Sequence, residues 1–454
     1  MSRTYVAECL KHVGKNITIQ GWVASRRDHG KLIFLDIRDL SGVVQVVVNP
    51  QVAAGAHETA QAVRGEYVVE ITGEAHKRPE NLVNKDMLTG TVEIEATNLE
   101  ILAPAEPLPF ELDTNLNIDT YLDNQPLALR SPKNQAIFKI QAAIVQSFRD
   151  YLIGQRFTEF QAPKIVAQAA EGGANVFKID YFGHKAYLAQ SPQLYKQIMA
   201  GIFERAFTVT SVYRAEPHST TRHLNEYVSL DYEMGFIADH TDIMKMHRGW
   251  IAHLIKLLEK DSAEQIKALG VNLPKIPKEI PTFKLTEAQD IITKEYGMKN
   301  AQGEPDLDPE HERLICQYAS EKLGSEFVFI THYPTKKRPF YTFPDEKNSE
   351  ETKSFDLLFR GVEITTGGQR INNYEQLLAN LDKWGYKREN FSFYLEAFKY
   401  GMPPEGGCAT GLERLTQKLC GLDNVKLATL FPRDMHRIDV SLSKLNLDNK
   451  KGEK

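Results

Sequence analysis

The sequence predicts an α+β protein in which a small β-barrel precedes a larger domain built on an antiparallel sheet with helices. Residues 17–102 contain five short segments of alternating apolar and polar residues, separated by turns rich in glycine, aspartate and asparagine. Beyond residue 131, amphipathic helical segments alternate with further strands. Because strands fill the first part and both element types share the second, we expect at least two domains.

Composition narrows the classes of protein. The 454 residues suffice for two or three domains with a large core. A net charge of −5 provides no general attraction to nucleic acid, so any such binding must come from local patches. The four cysteines are scattered without a CxxC pair, which argues against a disulfide framework or a structural zinc site. With no signal-peptide run and no stretch approaching ~18 apolar residues, we expect a cytoplasmic protein without membrane spans.

The N-terminal strands predict a closed barrel, and an OB-fold is the most economical choice for five strands in this length. Barrels of this type bind single-stranded nucleic acid on one face with aromatic and basic residues. Candidates are Phe34, Gln45 and the basic turns at Arg26–Arg27 and Lys77–Arg78. It is equally consistent with composition that Phe34 is a core residue and that the arginines are merely solvated.

Further segments are predicted from local pattern. Residues 104–131 are rich in proline and have no period, which predicts a hinge or linker. A long amphipathic helix is predicted over 134–154, followed by a strand that Pro163 interrupts, a plausible edge for a two-fold partner. Another strand is predicted over 338–343, and the glycines of 406–411 are predicted to open a last helix over 412–419.

The polar residues of the stretch 212–236 are the strongest functional signal. Its second half alternates a polar face with an apolar one; the polar positions are Tyr227, Ser229, Asp231 and Glu233. Carboxylates seldom point inward without partners, so the simplest interpretation is a solvated face. Arg214, which follows an apolar strand, favours instead a substrate that carries both phosphate and ammonium groups.

Nucleotide chemistry is possible without the usual motifs. The sequence has neither a P-loop nor a GxGxxG turn between a strand and a helix. Arg214 and Arg414 suit phosphate oxygens, and Glu363 suits Mg²⁺, which takes few protein oxygens besides those of phosphate. Each of these signals is weak by itself.

Taken together, three motifs resemble those of the class II aminoacyl-tRNA synthetases over nearly the whole chain. The long helix and the strand that ends at Pro163 resemble the dimer-forming motif. Tyr213–Glu216 with Arg222–Tyr227 resembles the ATP motif, and Gly411–Arg414 resembles the closing arginine motif. Within the family the resemblance is to the branch that attaches aspartate, with a catalytic half similar to the shorter archaeal type.

The resemblance implies the fold and the domain boundaries. Residues 1–103 would form an OB-fold anticodon-binding domain, joined by the linker 104–131 to a catalytic domain over 132–440. That domain would contain a six-stranded antiparallel sheet flanked by helices, with a helical insertion at about 238–310. Residues 441–454 would form a polar tail.

The resemblance also assigns roles to residues. The residues implied to bind ATP are Arg214, Glu216, Arg222, His223, Tyr227, Glu363 and Arg414, of which Arg214, Glu216 and Arg414 are implied to be catalytic. Those implied to bind aspartate are Glu171, Gln193, Lys196, Arg214, Asp231, Thr366 and Arg370. Glu363 and Thr366 would hold Mg²⁺. The anticodon would be read by Arg26, His29, Phe34, Gln45 and Glu93.

The implied reaction is the ligation of L-aspartate to tRNA(Asp) through an aspartyl-adenylate, catalysed by a homodimer. His29 is a feature of relatives that also accept tRNA(Asn). The nearest rival is an asparaginyl-tRNA synthetase, but Lys196 with Arg370 favours a carboxylate because an amide cannot balance two buried cations.

Two more distant functions are compatible with the same catalytic sheet. One is a paralogue that has lost its activity, and the motif arginines and glutamates weigh against it. The second is an ammonia-using asparagine synthetase, which would have no reason to carry the N-terminal barrel.

Overall fold

The computed structural model describes residues 3–112, 114–168, 175–217 and 220–443. The chain divides into two compact units, Met1–Thr114 and Asn115–Lys454. Glu171 and the predicted tail from residue 444 onward lie outside the described residues. Within the described ranges, every helix is too short or too polar to cross a membrane.

The first unit is a closed five-stranded barrel, as predicted. Its strands are β1 Asn16–Asp28, β2 Ile33–Asp39, β3 Gly42–Val48, β4 Val68–Lys77 and β5 Val92–Ala103. Around the barrel they follow the order β1-β2-β3-β5-β4, and β3 and β5 are the parallel pair. The unit also contains helix α1 Ala54–Ala62 and two 3-10 helices, Val6–Lys11 and Glu80–Leu82.

Alternation along the strands separates the barrel core from its surface. In β2, Ile33, Leu35 and Ile37 point inward and are buried among the core residues. Phe34 lies between two of them in sequence and points to the opposite face, where it is half-buried. Phe34 therefore lies on the barrel surface. Of the two interpretations that composition left open, the one in which Phe34 is a core residue is wrong.

The second unit contains most of the helices and a large sheet. Its strands are β6 Thr158–Glu159, β7 Ile165–Val166, β8 Lys178–Tyr181, β9 His184–Leu188, β10 Arg205–Tyr213, β11 Glu226–Gly235, β12 Thr282–Lys284, β13 Phe327–Thr331, β14 Ser354–Phe359, β15 Val362–Gln369 and β16 Glu405–Gly411. Its helices are α2 Ile118–Asp123, α3 Gln125–Ala128, α4 Pro132–Gly154, α5 Gln193–Phe203, α6 His240–Asp261, α7 Ala263–Leu269, α8 Leu285–Tyr296, α9 Pro309–Leu323, α10 Tyr374–Lys383, α11 Ser392–Lys399 and α12 Leu412–Leu419. Short 3-10 helices occur at Lys299–Ala301, Thr335–Lys337, Arg388–Phe391 and Val425–Ala428.

The large sheet has the strand order β12-β13-β14-β15-β16-β11-β10-β6. Its six central strands are antiparallel, which confirms the predicted catalytic sheet. The short edge strands β6 and β12 add to it in parallel orientation. A separate three-stranded sheet has the order β7-β9-β8.

One face of the large sheet is covered by α4 and α6. Phe148 of α4 contacts Trp250 of α6 with ring centroids 5.0 Å apart, and both belong to the core that contains Leu230 and Tyr232 of β11. Each buried phenylalanine or leucine in such a core contributes roughly 1.5–3 kcal/mol. Because side chains alternate along β11, the neighbouring residues Asp231 and Glu233 point to the other face of the sheet.

Three local predictions differ from the structure. The segment 104–131 contains α2 and α3, and buried Gln125 donates to the carbonyl of Thr429 at 2.9 Å, so its second half is a folded part of the larger unit. Residues 338–343 form no regular strand; Pro339 has no N–H to donate to a ladder. Residues 406–411 belong to strand β16, where a side chain at Gly407 would collide with Glu233.

Candidate active site

All the residues that the sequence implies for ATP line one cavity of about 230 Å³ in the larger unit. They are Arg214, Glu216, Arg222, His223, Tyr227, Glu363 and Arg414. Further lining residues come from β11, β15 and β16 and include Ser229, Thr366, Ala409 and Gly411. The structure thus brings together, around one cavity, residues that are far apart in sequence.

Strands β10 and β11 present the first group of these residues. The two strands pair up to Tyr213 and Glu226, and the backbone N–H of Arg214 then donates to the carbonyl of Asn225 at 2.9 Å. The Asn225 side chain returns a hydrogen bond to the carbonyl of Arg214 at 2.6 Å. The Arg214 guanidinium consequently lies 3.7 Å from the carboxylate of Glu216 and 5.8 Å from the ring centre of Tyr227.

Arg222 and His223 occupy the turn between these strands. Arg222 forms a close ion pair with Glu312 of α9, a residue that no motif in the sequence indicates. The same Glu312 carboxylate accepts the backbone N–H of Glu363 at 3.0 Å. Burial raises the pKa of Glu312 to about 7, although Arg222 opposes the shift. His223 lies 3.7 Å from Glu216, so the turn contacts acidic side chains on both sides.

A β-bulge in β15 places Glu363 and Thr366 on the same face. Leu357 pairs with Thr365, whereas Leu358 pairs with Glu363, so one residue of β15 is inserted into the ladder. Without the bulge, residues three apart in a strand would point to opposite faces. The bulge is a tertiary feature that strand alternation in the sequence does not reveal.

Three oxygen donors meet next to this bulge. Asp356 of β14 pairs with Thr366 in register and accepts a hydrogen bond from its hydroxyl. Burial raises the pKa of Asp356, and the neighbouring Glu363 adds to this, while Arg338 opposes it at 2.7 Å. Two adjacent carboxylates and a hydroxyl are a donor set that suits Mg²⁺. Sequence reasoning missed Asp356, because an acidic residue within an apolar strand gives no local metal signal.

Arg414 faces the same carboxylate from the other side of the cavity. Arg414 lies in the first turn of α12. Its guanidinium donates to the side-chain carboxylate of Glu363 at 3.3 Å and to the backbone carbonyl of Glu363 at 3.1 Å. Burial by itself raises the pKa of Glu363, but Arg414, Arg338 and two further arginines outweigh it, and the pKa is lowered. Glu363 is therefore ionised, as a metal ligand must be.

A buried ionic cluster adjoins the cavity. We use this name for Lys196, Asp231, Glu233, Arg370 and Glu405. Lys196 lies 2.9 Å from Asp231 and 3.2 Å from Glu233, and Arg370 lies 2.8 Å from Glu233. The hydroxyl of Ser229, a cavity residue, donates to Asp231 and so connects the ionic cluster to the cavity.

The charges of the ionic cluster balance one another. Burial lowers the pKa of Lys196, but attraction to Asp231 and Glu233 outweighs it and the pKa is raised. Burial raises the pKa of Glu233, but Arg370 and Lys196 outweigh it and the pKa is lowered. Burial, reinforced by Glu233, raises the pKa of Glu405 well above its ordinary value, so this carboxyl is neutral. Two cations therefore face two carboxylates and one neutral carboxylic acid. The electrostatic attraction between these charges is strong because the buried site has a low dielectric constant.

The structure separates the residues implied for aspartate into two groups. Arg214 and Thr366 line the cavity. Lys196, Asp231 and Arg370 belong to the ionic cluster, and Gln193 accepts a hydrogen bond from Arg370 at 3.4 Å. Sequence reasoning missed Glu233 and Glu405 as partners, because only the tertiary structure brings α5, β11 and β16 together around Lys196.

On the barrel, most of the residues implied for the anticodon share one face. Arg27 opposes Phe34 across β1 and β2 and bonds to Gln45 at 3.2 Å, and Gln45 bonds to Glu93 at 3.1 Å. The rings of His29 and Phe34 meet edge to face at 5.4 Å. An aromatic ring beside several hydrogen-bonding groups is typical of a surface that binds unpaired bases.

Arg26 does not lie with this group. Its guanidinium donates to the carbonyl of Ala60 in α1 at 3.2 Å and pairs with Asp28 at 2.9 Å. Successive residues of a strand point to opposite faces, so Arg27, rather than Arg26, is on the face of Phe34.

Known proteins match both units. The family described as tRNA synthetases class II (D, K and N) matches residues 117–435, and an OB-fold nucleic acid binding domain matches residues 17–102. The Aspartate–tRNA(Asp/Asn) ligase of Thermus thermophilus is 47% identical over 440 residues, covering 96% of this chain and 99% of the relative. That of Deinococcus radiodurans is 45% identical over 447 residues, with the same coverage of 96% and 99%.

A solved structure is similar as well. The asparaginyl-tRNA synthetase of Pyrococcus horikoshii complexed with asparaginyl-adenylate has a TM-score of 0.88 at 28% identity, covering 96% of this chain and 99% of that one. The resemblance predicted from the motifs is thereby confirmed. The chain belongs to the class II tRNA synthetases of the aspartate, lysine and asparagine group.

Proposed function

We propose that this protein joins L-aspartate to tRNA(Asp) in two steps, with aspartyl-adenylate as the intermediate. The observation that carries the proposal is the single cavity in which all the ATP-motif residues meet, with the ionic cluster beside it. In the first step, the carboxylate of aspartate attacks the α-phosphorus of ATP and pyrophosphate leaves. In the second, the terminal ribose hydroxyl of tRNA attacks the acyl carbon and AMP leaves.

The arginines of the cavity suit the charges of ATP. Arg214, which lines the cavity, would contact both the α-phosphate and the substrate carboxylate and stabilise the charge that develops as they join. Arg414, on the far side of Glu363, would hold the γ-phosphate, and Arg222 would face the outer phosphates. The ring of Tyr227 offers a surface for adenine, and Glu216 an acceptor for its amino group.

Mg²⁺ fits the donor set of Asp356, Glu363 and Thr366. Bound there, the ion would neutralise phosphate charge and orient the phosphates for in-line attack. The surrounding arginines keep Glu363 ionised, and Thr366 holds Asp356 in place.

The choice of aspartate is attributed to Lys196 and Arg370. Both cations are buried and paired with Asp231 and Glu233, so a substrate carboxylate would bind them by taking over part of these pairings, which a neutral amide cannot do. The relatives from Thermus and Deinococcus are also named as ligases of aspartate. An asparaginyl-tRNA synthetase is the second candidate, because a structure with that activity superposes closely at lower identity.

We expect purified protein to catalyse pyrophosphate exchange into ATP with aspartate and to do so at least ~100-fold less efficiently with asparagine, the discrimination typical of a site built for a specific polar group. The measurement is the exchange of labelled pyrophosphate at matched amino acid concentrations. An equal or greater rate with asparagine would contradict the proposal in favour of the second candidate.

We also propose that tRNA(Asn) is a substrate, since both named relatives carry tRNA(Asp/Asn) in their names and His29 lies on the barrel surface next to Phe34. Purified tRNA(Asn) is expected to be charged with aspartate. His29→Gln is expected to lower charging of tRNA(Asn) more than that of tRNA(Asp). No detectable charging of tRNA(Asn) by the unaltered protein would rule this out.

Finally, we propose a cytoplasmic homodimer joined near α4 and β6. Edge strand β6 is short, and Ile153 and Phe203 beside it are exposed to 58% and 46%. Exposed apolar side chains around an open edge suit a two-fold interface. In analytical ultracentrifugation, a species of monomer mass at micromolar concentration would contradict the dimer.

The cytoplasmic location is supported by the four cysteines, which are buried and form no disulfides, as is usual in a reducing compartment.

A further inference from the structure

A second polar cluster lies in the larger unit, apart from the ATP cavity. The ligand atoms of His332, Asp345 and Glu351 lie within 4.8 Å of one another, and none of the three lines the cavity. We propose that these residues bind a divalent transition-metal ion such as Zn²⁺. The sequence gives no sign of this site, because the usual signal for zinc is cysteine and histidine at short regular spacing.

The distances are close to those of a bound ion. His332 Nε2 lies 3.5 Å from Asp345 Oδ2. Ligand atoms about 2.1 Å from a tetrahedral ion are themselves roughly 3.4 Å apart. The first pair already has this spacing, and Glu351, within 4.8 Å of the other ligand atoms, needs to close by at most about 1.4 Å, which rotation of a half-buried side chain allows.

The imidazole of His332 is oriented for the task. Its Nδ1 lies 2.8 Å from the hydroxyl of Thr331, which leaves Nε2 facing Asp345. A hydrogen bond to the second nitrogen is how metal-binding histidines are usually held. His332 also has a φ of 60°, a left-handed conformation that is uncommon outside glycine and is often retained at functional sites.

The carboxylates of the cluster suit a cation. Asp345 Oδ1 accepts the backbone N–H of Lys347 at 3.0 Å, which leaves Oδ2 directed at His332 Nε2, 3.5 Å away. Lys284, 3.1 Å from Glu351, neutralises that carboxylate and would be displaced by the ion.

His240, at the start of α6, lies beside the cluster, although it is not among the residues whose ligand atoms all lie within 4.8 Å of one another. Its ring meets that of His332 edge to face at 5.4 Å, and the residue is only 7% exposed. Among the described residues, its Nδ1 has no hydrogen-bond partner. A buried nitrogen without a partner costs free energy unless something else occupies it.

Mixed imidazole and carboxylate ligands favour Zn²⁺ over Mg²⁺, which prefers oxygen ligands alone.

The cluster lies at the base of the segment from His332 to Glu351. Two isolated β-bridges join residues at this base: Pro334 pairs with Glu351, and Pro344 pairs with Thr352. That segment carries Arg338, which bonds to Asp356 and Thr366 of the cavity. The ion would therefore act structurally, holding in place a segment that reaches the ATP cavity.

The test is metal binding by the full chain, measured as bound Zn²⁺ per chain after equilibrium dialysis with excess Mg²⁺ present. His332→Asn and Asp345→Asn are each expected to bind one Zn²⁺ fewer per chain than the unaltered protein. Asparagine tolerates positive φ, so His332→Asn should keep the fold. Replacement of Zn²⁺ by Co²⁺ is expected to give a visible absorption band that these two variants lack.

His184→Gln is the matched control, because His184 is exposed on β9 and belongs to no such cluster among the described residues; it should bind Zn²⁺ like the unaltered protein. The thermal midpoint of the unaltered protein and of this control should rise with Zn²⁺, and that of His332→Asn should not. Equal Zn²⁺ stoichiometry in His332→Asn, Asp345→Asn and the unaltered protein would overturn the proposal, as would no Zn²⁺ binding at all. In either case His332 and Asp345 are neighbours that bind no metal ion. These readouts do not depend on aminoacylation.

Discussion

Arg214→Ala is expected to lower aspartate-dependent pyrophosphate exchange by about 10²–10³-fold or more, the usual effect of removing one donor that stabilises transition-state charge. Arg214 lines the cavity, and under the proposed function it contacts the substrate carboxylate and the α-phosphate, where no neutral residue can balance the negative charge that develops. Its side chain is 37% exposed at the cavity, so its loss should change the thermal midpoint little. The measurements are exchange rate and thermal unfolding on the same preparation.

Arg388→Ala serves as the control for this variant. Arg388 is an exposed arginine that pairs with Asp382 on the surface, away from the cavity, and its loss should leave the exchange rate unchanged. A surface pair of this kind contributes little to stability. Retained exchange in Arg214→Ala would contradict the assignment of the adenylation site, whatever the stability of the variant.

Lys196→Met is expected to destabilise the protein by about 3–5 kcal/mol and to abolish exchange with aspartate. Lys196 is fully buried between Asp231 and Glu233, and its removal leaves these two buried carboxylates without their shared cation. The free energy of unfolding is measured by denaturant titration, and exchange is measured below the unfolding transition. The variant thus reports on stability and on amino acid recognition at once.

The double variant Lys196→Met with Asp231→Asn separates the two effects. Neutralising one carboxylate should recover part of the lost stability, because Glu233 still pairs with Arg370 at 2.8 Å. It should not recover exchange, since the cation that attracts the substrate carboxylate is still missing. Normal exchange with aspartate in either variant would show that the choice of amino acid is made elsewhere.

Features that depend on neighbouring residues can be predicted from the sequence. The alternation of β11 separates Asp231 and Glu233 from Leu230 and Tyr232, and the structure confirms that these pairs point to opposite faces. The predicted long helix begins within two residues of the start of α4, and α12 begins at Leu412 as predicted. These features follow from periodicity, which is a property of the chain within one element.

Features that depend on distant segments cannot be predicted in this way. Asp356 and Glu312 contact the cavity residues Thr366 and Glu363 only because β14 and α9 pack beside β15. The glycines of β16 indicate a loop when only their neighbours are considered, but they permit the close approach of Glu233 and Lys196 to the sheet. The side of β1 on which Arg26 and Arg27 fall depends on a bulge between Val23 and Ser25.

The sequence by itself determined the family, the barrel, the antiparallel sheet and the set of side chains that suit ATP, since motifs and periodicity are local. The tertiary structure alone decided which of these charges are paired. From the sequence, Lys196 and Arg370 are predicted to bind the carboxylate of a substrate. In the structure, each of them already forms an ion pair with a buried carboxylate. The physical reason is the cost of burying a charge: a cation far from water needs partners, and the fold draws them from strands and helices distant in sequence.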